Sequence, residues 1–218
     1  MFNAKQNEPL SALTHFVGAL LSIAALVLLI IQATRYGEAT HIVTYTIFGV
    51  SMLVLYTMST LYHVVCTTKI GRKKVFRILD HSAVFLLIAG TYTPVALTML
   101  PSGWGWTIFG LIWAIAVFGI VIKATQIPVP IWASVTLYLL MGWLILIAAV
   151  PLFAVLDHET FFWLVSGGVF YTVGALFFAI DTFIPRTKWF GMHEIFHLCV
   201  MLGSFSHFWM LFQYGVYL

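Results

Sequence analysis

The chain has 218 residues, of which 62% are hydrophobic and only 8% charged, with a formal net charge of +3. A soluble domain carries about a quarter charged residues, so this composition cannot clothe a water-facing surface and excludes a soluble globular class. It points to an integral membrane protein built as one domain over residues 1–218, with lipid as its surroundings and no sign of a nucleic-acid partner.

Charges divide the chain into spans. Between Glu8 and Arg35 lies a first helix, Leu10 to Ala33, too long for the 7–15-residue apolar core of a signal peptide. A second, His41 to Val65, lies between Glu38 and Lys69. From His81 to Ile122 no charged residue appears, which leaves room for two spans of about 20 residues each. Pro101-Ser102-Gly103 supplies the turn between them, so helix 3 runs from Arg77 to Met99 and helix 4 from Trp104 to Ile122. Thr91, Thr93 and Pro94 predict a kink in helix 3, with hydroxyls close to the carbonyl that the proline frees. Helix 5 follows the Pro128 and Pro130 break, runs from Ile131 to Val150 and is closed by Pro151. Helix 6 runs from Phe161 to Ile180, and helix 7 from Phe190 to Tyr214.

The expected class is therefore all-α, a polytopic seven-transmembrane-helix bundle. Lys5, Lys69, Arg72, Lys73, Lys74, Arg77, Lys123, Arg186 and Lys188 fall on one side, and only Arg35 on the other. That bias predicts a cytoplasmic N-terminus and a C-terminus outside. The basic segment 66–77 reads as a topology determinant, and an anionic-lipid site there is a second reading. Gly90, Gly110, Gly119, Gly167, Gly168 and Gly174 read as places of close helix approach. Cys66 and Cys199 read as small packing residues and not as a disulfide.

The ionisable residues gather at one depth. On this topology His15, His63, Asp80, His81, His193 and His197 all lie near the cytoplasmic ends of their helices. Such residues are costly in a bilayer and usually mark function. His193 and His197 stand four residues apart, on one helix face and about 6 Å from each other, a spacing suited to one metal ion. His63 comes third, with Ser59 one turn deeper on its helix. Three imidazoles and an open position for water make a catalytic zinc site. Asp80 is the candidate partner of the bound water, and Ser59 the candidate partner of that carboxylate or of a developing oxyanion.

His15 reads as a satisfied interfacial histidine or a further ligand, and His81 as turned about 100° away from Asp80. His207 is roughly 15 Å deeper than His197, so it reads as a packing or hydrogen-bonding residue. His193-Glu194-Ile195-Phe196-His197 also matches the HExxH pattern of zinc proteases, with Glu194 as base; the competing reading is a solvated glutamate at the membrane edge.

Several stretches together resemble the hemolysin III family. They are Ser59-Thr60-Leu61-Tyr62-His63, Leu79-Asp80-His81, Leu86 to Pro94, Tyr138 to Trp143, and His193 with His197, Gly203-Ser204 and His207. The family is similar to progestin and adipoQ receptors and more distantly to alkaline ceramidases. The resemblance, from about Glu8 to the end, implies seven helices, a cytoplasmic N-terminus and a bacterial plasma membrane. It also implies a zinc ion on His63, His193 and His197, with Asp80 and Ser59 beside its water. Ser11 stands where family members often carry Asn, which leaves the role of that first motif open.

Three functions compete. A zinc-dependent hydrolase would cleave a lipid amide or ester in the bilayer. A cytolysin, as the family's name suggests, would lyse membranes, although no span carries a polar stripe fit to line a wide channel. A sensor or regulator of membrane state would hold zinc structurally. Transport is disfavoured, since no ionisable relay crosses the mid-bilayer.

Overall fold

A computed structural model describes residues 9–65, 70–185, 187 and 190–217. Glu8, Lys5, Cys66, Lys69, Arg186 and Lys188, which enter the charge and cysteine arguments, lie outside the described residues. Among those described there is no strand, and seven helical segments are long and apolar enough to cross a membrane. This is an all-α integral membrane protein.

Helix α1 spans Pro9–Tyr36, with the proline at its first position, where a missing N–H costs nothing. Its inward stripe is small or polar: Ser11, His15, Gly18, Ser22 and Ala33 recur at helical spacing and are buried. Leu13, Leu20, Leu21 and Val27 are exposed on the molecule's surface, where lipid would lie. Gly18 admits the ring of Tyr56 from α2 (Ala39–Val64). Close backbone approach is what such glycines supply when hydrophobicity cannot drive helices together.

Helix α3 (Ile70–Pro94) begins earlier than its predicted start at Arg77. Lys and Arg are good helix formers, so the basic segment from residue 70 forms the first turns of the helix and not a loop. Lys73 Nζ lies 4.9 Å from the Tyr62 ring centre. The expected irregularity at Pro94 is present as a π turn over Val95–Met99. Thr91 and Thr93 donate to the carbonyls of Leu87 and Ala89, both at 2.8 Å. Neither hydroxyl serves Gly90, whose carbonyl Pro94 leaves free. The five-residue reach of the π turn is the register in which that carbonyl can be used again.

Helix α4 (Ser102–Thr125) leads to a span that is broken where a continuous helix is expected. It consists of α5 (Ile131–Gly142), a 3₁₀ turn (Leu144–Ala148) and α6 (Ala149–Val155). Pro151 sits inside α6, in its first turn, and does not close the span. Tyr92 holds the break together. Its hydroxyl donates to the Gly142 carbonyl at 2.8 Å and accepts from the Ile145 N–H at 2.9 Å. In an apolar medium such loose backbone groups must find partners. Tyr92→Phe removes both bonds, and we expect a loss of about 2 kcal/mol, read by unfolding in detergent against wild type.

Helix α7 (His158–Ile180) opens on Asp157, which accepts the Thr160 N–H at 2.7 Å. Hydrogen bonding to Thr160 holds the Asp157 carboxyl below its ordinary range. Helix α8 (Met192–Gln213) closes the bundle against α7 and α1. Cys199, a free buried thiol, packs on Gly174 of α7, as a packing residue would.

Candidate metal centre

Two helices bring three histidines together. His63 ends α2, and His193 and His197 occupy the first two turns of α8. One ring nitrogen from each lies within 4.8 Å of the other two. Nε2 of His63 and Nε2 of His193 are 3.3 Å apart. Two ligands of a tetrahedral zinc at about 2.05 Å would stand roughly 3.3 Å from each other, so the spacing fits. His63 and His197 are buried and His193 is half-buried. Among the described residues this is the group of His, Cys, Asp and Glu able to share one metal ion.

The bonds around His197 settle its tautomer. Its Nδ1 lies 3.2 Å from the Ser11 carbonyl and 3.2 Å from the Thr14 hydroxyl. A carbonyl only accepts, and Thr14 already donates to that same carbonyl at 3.0 Å. Nδ1 therefore carries the proton, and Nε2 keeps the lone pair that a metal takes. A backbone carbonyl behind a ligand imidazole is the usual outer support of a metal histidine. His193 is held by its backbone, whose N–H donates to Asp181 Oδ1 at 3.0 Å.

Glu194 is not solvated, contrary to the membrane-edge reading. It is 1% exposed. Its Oε1 accepts the Ser11 hydroxyl at 2.6 Å, and its Oε2 accepts the Gly191 N–H at 2.7 Å. It is the third residue of α8 reaching back to cap the helix start, while tying that start to α1. Both oxygens are occupied, so it is poorly placed to serve as the base of an HExxH protease. The sequence signal was Gly191 followed three residues later by a glutamate at a helix start. Ser11, where Asn is expected, supplies both the hydroxyl for Glu194 and the carbonyl for His197, and it is fully buried.

His15 differs from the satisfied histidine that was expected. Its ring stacks on that of His197, 3.5 Å between centres and 7° from parallel, and it meets Tyr56 edge-on. Among the described residues neither ring nitrogen has a side-chain hydrogen-bond partner, and His15 stands outside the three-histidine group. Ser59 is buried one turn below His63, and among the described residues its Oγ is likewise unpartnered, bonded neither to its own backbone nor to a carboxylate. Unpartnered buried polar atoms beside the histidines are what a site with a bound water or substrate polar group would present. Asp80 is half-buried on α3 and also stands outside the metal-competent group. His81 makes an edge contact with Phe178.

Deeper in the bundle, Ser204 Oγ joins the hydroxyls of Tyr56 (2.7 Å) and Tyr171 (2.9 Å), linking α2, α7 and α8. No local sequence pattern announces this hydroxyl cluster, whose members come from three separate helices. His207 has the packing and hydrogen-bonding role expected of it: its Nε2 donates to the Leu164 carbonyl at 3.1 Å, over Gly167.

The family model described as Haemolysin-III related matches residues 3–208. The chain belongs to the haemolysin III family. It is 44% identical over 209 residues to Hemolysin-3 of Bacillus cereus, covering 96% of this chain and 92% of that one. To the Hemolysin-3 homolog of Bacillus subtilis (strain 168) it is 45% identical over 216 residues, covering 99% and 97%. A more distant likeness, 26% over 179 residues, covers 79% of this chain and 70% of the human monocyte to macrophage differentiation factor. In this family member the resemblance read from residues 59–63, 79–94 and 193–207 therefore coincides with a match over nearly the whole chain.

Proposed function

We propose that this family member is a zinc-dependent hydrolase of lipid amides or esters, working in a bacterial plasma membrane with its N-terminus cytoplasmic. The observation that supports this most is the three-histidine cluster buried beside unpartnered polar atoms. His63, His193 and His197 would hold the ion, which when bound would polarise the substrate carbonyl and acidify a bound water. Ser11 and Thr14 hold His197 in its metal-binding tautomer. Asp80 takes the proton from the attacking water as general base. Ser59 donates a hydrogen bond to the oxygen where negative charge develops. The buried surroundings limit bulk water, so the substrate would enter sideways from the lipid.

Purified protein is offered a panel of acyl amides and esters in mixed micelles. Turnover that disappears with a zinc chelator and returns with added zinc supports the reading; turnover indifferent to the chelator removes it. The name of the Bacillus cereus relative also suggests a cytolysin. Dye release from liposomes holding the purified protein, unchanged in His193→Ala, would favour that alternative. Bound zinc without turnover on any substrate would favour a sensor or regulator with a structural ion.

A further inference from the structure

We propose that a cleft between α4 and α5, whose lining includes none of the three clustered histidines, binds one acyl chain of an anionic phospholipid. The cleft measures about 330 Å³, at the small end for ligand pockets and enough for part of one lipid, not all of it. Its walls are Phe85, Ile122, Trp132, Leu137 and Leu140. They are apolar and open to the bilayer, where a lipid chain is the abundant apolar partner.

Polar groups gather at one end. Lys123, in the last turn of α4, also lines the cleft, and its Nζ donates to Ser134 Oγ at 2.7 Å instead of meeting a carboxylate. Arg77 of α3 lies within electrostatic reach of Lys123. Asp80 is one turn further along α3, so the two cations and this carboxylate leave one net positive charge. Trp132 is 71% exposed at the start of α5, where an indole sits well at headgroup depth. Lys123 stands at the end of a span, where its stem can lie along the apolar wall while its ammonium reaches a lipid phosphate. An apolar trough that ends in an unneutralised lysine fits a lipid with a negatively charged headgroup better than a zwitterionic one. The site does not depend on the hydrolase reading.

The test is native mass spectrometry of the full chain in mild detergent with equimolar phosphatidylglycerol and phosphatidylcholine. Wild type should retain one phosphatidylglycerol in preference. Lys123→Glu should lower that preference roughly tenfold or more, since each basic residue near an anionic surface is worth about fivefold. Ala133→Trp, which fills the cleft, should lose both adducts; Thr136→Trp, on the exposed rim, serves if that variant does not fold. The proposal is overturned if wild type takes both lipids equally, or if Lys123→Glu keeps the wild-type preference. It is also overturned if millimolar inorganic phosphate displaces the adduct, or if a dimer that Ala133→Trp dissociates covers the cleft.

Discussion

Asp80→Asn should lower lipid turnover by about 10²–10⁴-fold while leaving zinc in place. The asparagine keeps the size and hydrogen-bonding reach of the aspartate but cannot take a proton at neutral pH. Asp80 stands outside the group of three histidines, so its loss should not open the metal site. Turnover and zinc content, measured on the same preparation, separate the two roles. Loss of both would make Asp80 a structural support of the site. Retained turnover would remove it from the chemistry altogether.

Glu194→Ala should do the opposite, weakening the site before it touches the chemistry. The change leaves the Ser11 hydroxyl and the Gly191 N–H buried without their acceptor. At about 1–3 kcal/mol for each stranded group, a loss near 3 kcal/mol is expected in unfolding experiments. The same carboxylate anchors the start of α8 between His193 and His197, and it ties that start to the residue whose carbonyl orients His197. Outer supports of this kind are worth about 10–100-fold in metal affinity, measured here by competition with a zinc chelator. Glu194→Gln, which keeps one acceptor, should fall between. A glutamate acting as general base would behave differently: Gln would keep affinity and stability and abolish turnover.

The spans were legible because a bilayer punishes charge, so the few charged residues mark where each helix leaves it. The three histidines were legible because His193 and His197 share a face and His63 falls at the same depth. Other features depend on partners that no local pattern announces. Glu194 reads as a surface residue until Ser11, 183 positions away, is seen against it. The break after Gly142 carries neither a proline nor a charge, and it survives because one tyrosine on α3 satisfies both ends. The start of α3 at Ile70 lies before the apolar run because Lys and Arg end a hydrophobic span without ending a helix. From position alone His15 is a satisfied interfacial histidine or a further ligand; only the fold shows it stacked on His197.

The most direct test of the central claim is metal content, by mass spectrometry of elements on detergent-purified wild type beside His193→Ala and His197→Ala. About one zinc per chain in wild type, lost in both variants while their helicity and elution are unchanged, is the predicted result. No metal in wild type, with all three proteins equally folded, would contradict it and leave the histidines as a buried polar layer joining α1, α2 and α8.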